Sequence, residues 1–177
     1  MDNNIKSDLR KLILAAFFLA LGLLLPFLTG QVPAIGKMLL PMHIPVLICG
    51  FICGWPYGLL VGFITPLFRS LLFGMPGMYP VALAMAAELA VYGLTAGILY
   101  KLLPKKIVMT YISLIAAMIC GRIIWGVVSL ILFGIAGNAF TFQAFMAGAV
   151  LNAVPGIILQ LVIIPPIIIA VNKAEYK

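Results

Sequence analysis

The sequence has very few charged residues. Asp, Glu, Lys and Arg make up 8% of its 177 residues, whereas a soluble domain keeps about a quarter of its residues charged. Hydrophobic residues make up 65% and the mean hydropathy is +1.26. The apolar blocks are long enough to cross the roughly 30 Å hydrocarbon layer as helices. The shortage of charge therefore argues against a soluble domain and predicts a polytopic membrane protein.

Acidic residues and histidine are especially scarce. The chain has four Asp and Glu residues and one His, and Glu88 is the one acid inside an apolar block. A metal-dependent lipid transferase would need several intramembrane carboxylates. A serine hydrolase would need a base beside its nucleophile, but Ser70, Ser113 and Ser129 have only the distant His43. These shortages argue against an intramembrane enzyme.

The three cysteines all fall inside apolar blocks, at Cys49, Cys53 and Cys120. Cys49 and Cys53 lie one helical turn apart, but the sequence around them has no His or carboxylate to complete a zinc site. We expect three buried free thiols and no metal or cofactor. The sequence also lacks a G-x-x-x-x-G-K-[ST] nucleotide-binding loop, so energy for transport would come from an ion gradient or another chain.

Six apolar segments predict an all-α integral membrane fold, a single six-helix bundle over residues 1–177. They cover residues 10–28, 40–54, 56–73, 80–103, 107–135 and 142–171, with a long loop over 29–42. The second and third are short for full spans. Pro56 between them suits the first turn of a new helix, so we expect a tight turn there, with one kinked helix as the alternative.

The net charge of +7 reflects membrane topology and does not indicate a nucleic-acid partner. If the N-terminus is cytoplasmic, Lys37 falls in an outer connection, and the other Lys and Arg of the connections and termini fall inside: Lys6, Arg10, Lys11, Lys101, Lys105, Lys106, Lys173 and Lys177. This asymmetry follows the positive-inside rule. It predicts that both termini are cytoplasmic in a bacterial plasma membrane. The first segment has no A-x-A cleavage site after it, so we expect a retained helix.

Three charged residues fall inside the segments: Arg69, Glu88 and Arg122. Such groups cost about 2.5–3.5 kcal/mol each on insertion scales and usually face a cavity or the bundle interior. At 1.5 Å per residue, Glu88, Arg122 and Asn152 lie about 12, 20 and 15 Å below the outer ends of their helices. Arg69 lies about 6 Å below its own. The similar depths predict that three consecutive helices present polar groups to one place.

That place resembles a small-molecule site, which is mostly apolar with a few converging polar groups. Tyr92 lies one turn below Glu88 and Trp125 one turn above Arg122, so both are candidate contacts. His43, where the long loop meets the second helix, is another. Two arginines and one glutamate leave the site with a charge of +1, which favours a substrate with one carboxylate.

Structural roles are the alternatives to these assignments. Glu88 and Arg122 can form an ion pair that joins the fourth and fifth helices. Arg69 can extend to the outer headgroups. Asn152 can donate an interhelical hydrogen bond, and His43 can anchor the loop.

Small residues recur at every fourth position in three of the segments. Ala16 and Ala20 share one face of the first helix, where they would allow another helix to approach closely. The same spacing continues across the predicted turn at Gly50, Gly54, Gly58 and Gly62. Internal packing explains both patterns, and docking to another protein is an alternative for the two alanines.

The stretch HIPVLICGFICGWPYGLLVGFITPLFRSLLFG, residues 43–74, resembles the short second and third helices of the S-components of energy-coupling factor (ECF) vitamin transporters. The A-x-x-x-A pattern in the first helix and the six helices with both ends inside are also similar, so the resemblance covers essentially the whole chain. It implies a bundle that binds a vitamin from outside. The loop over 29–42, which includes Gln31 and Lys37, would be its lid.

The resemblance also implies partner proteins. Ala16 and Ala20 would correspond to the face that docks on a membrane-embedded coupling subunit, which itself rests on two cytoplasmic ATPases. Docking would reorient the bundle and release the substrate inward. A stand-alone, ion-coupled carrier or channel is the alternative.

The charge of the predicted site bears on which vitamin is bound. Two arginines argue against a cation such as thiamine. Pantothenate is favoured, with Arg122 or Arg69 for its carboxylate and Glu88 or Asn152 for its hydroxyl and amide groups. Nicotinate is next, because Trp125 could stack on its ring.

Overall fold

All of the described secondary structure is helical. The computed structural model describes residues 3–29 and 38–175, so the predicted lid residues Gln31 and Lys37 lie outside the described residues. The α-helices are α1 (Asn3–Leu24), α2 (His43–Cys53), α3 (Trp55–Phe73), α4 (Leu83–Leu102), α5 (Ile107–Ile135), α6 (Phe142–Met146) and α7 (Val154–Glu175). A 3-10 turn, Leu25–Thr29, follows α1. Within the described residues there is no β-strand, and the predicted all-α class is confirmed.

Five segments are long and apolar enough to cross a membrane: Ile5–Leu28, Trp55–Phe73, Met78–Leu102, Ile107–Ile135 and Phe142–Lys173. A helix suits this environment because it satisfies its own backbone hydrogen bonds where water is absent. The remaining helix, α2, has 11 residues and measures about 16 Å at 1.5 Å per residue. It is therefore too short to cross the layer, as its length in the sequence suggested.

A tight turn separates α2 from α3. Gly54 has φ 94° and ψ 171°, a conformation that glycine adopts without a Cβ clash. Pro56 lies in the first turn of α3, where its missing N–H costs no helical hydrogen bond. The predicted turn is confirmed, and the alternative of one kinked helix is wrong.

Helix α4 is the centre of the bundle. It packs against α2, α3 and α5 and is the most buried of the five candidate spans. A Cβ atom on Gly93 of α4 would collide with the backbone of Gly58, and one on Gly62 of α3 would collide with the backbone of Leu89. The predicted glycine face of α3 therefore packs tightly, and its partner is α4.

The sixth predicted segment is not one continuous helix. Thr141 caps the start of α6, where its side chain accepts a hydrogen bond from the Ala144 N–H. A π-helical turn, Ala147–Leu151, follows, and α7 begins only at Val154. Pro155 in the first turn of α7 has no N–H and cannot continue the preceding hydrogen-bond ladder. The prediction of one helix over 142–171 did not include this break, because hydropathy does not change there.

Two smaller expectations also need correction. Helix α1 begins at Asn3 and not near residue 10, because the polar start of the chain continues the same helix. It ends at Leu24. The next residue, Leu25, precedes Pro26, and the residue before a proline is disfavoured in an α-helix. Cys120 is exposed on α5, whereas Cys49 and Cys53 are buried as expected.

Candidate ligand-binding site

A cavity of about 620 Å³ lies at one end of the bundle, within the range of roughly 300–1,000 Å³ that is usual for small-molecule sites. It is bounded by the start of α2, the end of α3, the first turns of α4, the C-terminal half of α5 and the α6–α7 connection. Most of its lining is apolar. The candidate residues that line it are His43, Arg69, Glu88, Arg122, Trp125 and Asn152.

Glu88 on α4 is the centre of a buried polar cluster. Its side chain is 2% exposed, and its Oε1 lies 3.0 Å from Nη1 of Arg122 on α5. The same oxygen lies 3.4 Å from Nε2 of His43 at the start of α2. Because this oxygen has no hydrogen-bond partner among the described residues, the contact with Arg122 is an ion pair and not a hydrogen bond. The ion pair between the fourth and fifth predicted helices, which the sequence offered as an alternative, is therefore present. Sequence reasoning missed that His43 joins it.

Arg122 has donors without a partner in the described part of the chain. Its side chain is 12% exposed, and its Nε and Nη2 atoms have no hydrogen-bond partner among the described residues. A guanidinium has five N–H donors in a planar fork that matches a carboxylate. Its Cζ also lies 6.0 Å from the centre of the Trp125 ring, at the outer limit of a cation–π contact. Arg122 can therefore bind an anion while it remains paired with Glu88.

Arg69 points into the protein. It is 3% exposed, lines the cavity and donates from Nη1 to the Leu23 carbonyl at the end of α1. Its Cζ lies 5.0 Å from the centre of the Phe27 ring and 5.4 Å from that of Phe73. The alternative in which Arg69 extends to the headgroups does not agree with this position. Among the described lining residues, Glu88 balances one arginine, and the second arginine leaves a charge of +1 when His43 is neutral.

Aromatic rings form one wall of the cavity. The Trp125 ring lies edge-to-face with Phe140 at 5.7 Å between centroids, and Phe133 stacks on Phe140, also at 5.7 Å. All three line the cavity. Sequence reasoning missed Phe133 and Phe140. The spacing of Phe133 from Arg122 and Trp125 could have shown that it shares their helix face.

Asn152 faces the cavity from the α6–α7 connection. Its backbone N–H donates to the Ala147 carbonyl at 2.9 Å, which closes the π-helical turn. In the same turn, a Cβ on Gly148 would lie 2.6 Å from the Trp125 ring, so the connection packs directly on the aromatic wall. The helix break thus places an exposed amide at the cavity.

Tyr92 lies behind the charged cluster and is not among the lining residues. It is 2% exposed, and its ring lies edge-to-face with His43 at 5.2 Å between centroids. Tyr92 therefore supports the cluster from the bundle interior, one turn below Glu88.

The predicted docking residues lie away from the cavity. Ala16 and Ala20 are both exposed on α1, which is the least buried of the five candidate spans. The adjacent Phe17 is 54% exposed. The structure therefore leaves this face of α1 uncovered and does not bring it to the candidate site.

The helices and the cavity define a multi-pass membrane protein with a candidate small-molecule site. The sequence model for the substrate-specific component of ECF transporters matches residues 10–168. The chain therefore belongs to that family, whose members are substrate-binding subunits of transporters and not enzymes. The resemblance in the sequence is confirmed at this level. Among curated proteins and solved structures, nothing matched the chain.

Proposed function

We propose that this protein captures a small carboxylate vitamin from outside the cell and delivers it to an ECF importer. Pantothenate is the favoured substrate and nicotinate the next. The proposal places the chain in a bacterial plasma membrane with both termini in the cytoplasm, so that the cavity faces outward. The loop over 29–42, with Gln31 and Lys37, would close over the bound substrate.

The observation that supports a carboxylate most strongly is the set of unused donors on Arg122. A buried donor without a partner costs free energy, and an anion in the cavity would remove that cost. The surplus charge of +1 suits one carboxylate and disfavours a cation. Trp125 and its aromatic neighbours would bind the apolar part of the same molecule.

The exposed face of α1 supports the proposed partners. Ala16 and Ala20 offer a small-residue surface on which a helix of a coupling subunit can pack closely. Two cytoplasmic ATPases would provide the energy through that subunit. Because the docking face and the cavity use different residues, substitutions can separate binding from delivery.

The test is to identify the ligand directly. Native mass spectrometry of the gently purified protein should show a bound compound with one carboxylate. Calorimetry should then show binding of pantothenate more tightly than nicotinate, and no binding of thiamine. Tight binding of thiamine, with no binding of either acid, would overturn the proposal of an anionic substrate.

A further inference from the structure

Ser129 on α5 has an environment unlike that of Thr65 and Ser113, two other buried hydroxyl residues of the described helices. Serine and threonine within helices commonly donate back to the carbonyl four residues earlier. Thr65 does so to Val61 at 2.6 Å, and Ser113 to Met109 at 2.8 Å. Ser129 is 0% exposed, yet its Oγ has no hydrogen-bond partner among the described residues.

Ser129 also lines the same cavity as Arg122. The two residues are seven positions apart on α5, which places them on one helix face and about 10 Å apart along the axis. Trp125 lies between them on that face, and Phe133 lies beyond Ser129. Along α5, the cavity is therefore lined first by the cationic group of Arg122, then by the aromatic ring of Trp125 and then by the hydroxyl of Ser129.

We propose that Ser129 is a second ligand contact that selects the length of the substrate. This inference rests on the proposed function, because it assumes that a carboxylate binds at Arg122. The preferred substrate class is then an elongated monocarboxylate with a hydroxyl or carbonyl far from its carboxylate, because the two contacts come from backbone positions about 10 Å apart along α5. A short acid would reach Arg122 and Trp125 but leave Ser129 without a partner.

The test compares pantothenate with N-acetyl-β-alanine, which keeps the carboxylate and the amide but lacks the hydroxyl end. Ser129→Ala should weaken pantothenate binding about three- to tenfold, the effect of one hydrogen bond, and leave N-acetyl-β-alanine binding unchanged. Ser113→Ala is the matched control, because Ser113 is buried on the same helix, bonds to its own backbone and is not among the cavity-lining residues. It should change neither affinity.

The outcomes separate this inference from the proposed function. If Ser129→Ala has no effect, or weakens both acids equally, Ser129 is not a length-selecting contact. If nicotinate binds more tightly than pantothenate in the unchanged protein, elongated substrates are ruled out while the carboxylate site survives. If none of these acids binds, both proposals fail.

Discussion

Nη1 of Arg122 lies 3.0 Å from Oε1 of Glu88 and joins α5 to α4 beside the cavity. A buried ion pair contributes little net stability, because both charges lose their hydration, but removal of one partner leaves a costly buried charge. Arg122 differs from a purely structural partner because its Nε and Nη2 atoms have no hydrogen-bond partner within residues 3–29 and 38–175. We therefore propose two roles for Arg122, one in holding the helices and one in binding the substrate.

The close approach of α3 and α4 gives a first prediction. Gly93→Ala places a methyl group against the backbone of Gly58, which cannot move as a flexible side chain could. We expect the helices to separate and the free energy of unfolding to fall by about 1–3 kcal/mol, as for other overpacked sites. Thermal unfolding of the protein in detergent would measure this change.

Gly134→Ala is the control for Gly93→Ala. Gly134 lies in α5 with no atom within 4 Å of an added Cβ, and alanine is a better helix former than glycine. This variant should unfold at the same temperature as the unchanged protein or higher. If both variants lose the same amount of unfolding free energy, close packing at Gly93 is not the cause of the destabilisation.

The topology gives a second prediction. In a variant without the native cysteines, Asn138→Cys in the exposed connection before α6 should react with a membrane-impermeant maleimide in intact cells. Lys105→Cys, which is exposed in the connection before α5, should react only after the cells are opened. The reverse pattern would show that the cavity faces the cytoplasm and would contradict uptake from outside.

The exposed face of α1 gives a third prediction. Ala16→Trp should block uptake of the vitamin by cells, because a large ring prevents close helix packing at a small-residue surface. Binding to the purified protein should be unchanged. Ile119→Trp is the control, because Ile119 is 55% exposed on α5 and should leave uptake intact. Loss of binding in Ala16→Trp would count against a docking face.

Dependence on partner proteins gives a fourth prediction. The purified chain in vesicles should bind substrate but not transport it, with or without an ion gradient. Transport should appear when the coupling subunit, the two ATPases and ATP are added. Uptake driven by a gradient alone would instead support the stand-alone carrier.

The sequence predicted those features that depend on hydropathy and helical rise. The apolar segments and the turn at Gly54 follow from position along the chain, and the contact between Glu88 and Arg122 was one of the alternatives that their similar depths left open. Depth alone does not fix the direction of a side chain around its helix axis. For that reason the sequence did not reveal that Tyr92 lies behind the cluster, or that Ser129 lines the cavity.

Other features depend on contacts between distant parts of the chain. His43 meets Glu88 only because α2 packs beside α4. The break before α7 was missed because apolar residues continue through it, although Pro155 was the available signal. Phe140 precedes α6 in a short connection, so no helical spacing could have placed it on the aromatic wall.

The proposed dual role of Arg122 can be tested directly. Arg122→Ala alone leaves Glu88 buried without its partner and should reduce both stability and pantothenate affinity. Adding Glu88→Gln removes the stranded charge, so stability should recover. Lys101→Ala, at an exposed site near the end of α4, is the control for loss of a positive charge and should change neither property.

The deciding measurement is the pantothenate affinity of the Arg122→Ala, Glu88→Gln double variant. The account predicts a stable protein whose affinity stays about tenfold or more below that of the unchanged protein, because a charged hydrogen bond to the carboxylate is lost. If the double variant binds pantothenate as tightly as the unchanged protein, Arg122 acts only as the partner of Glu88, and the account of the site is wrong.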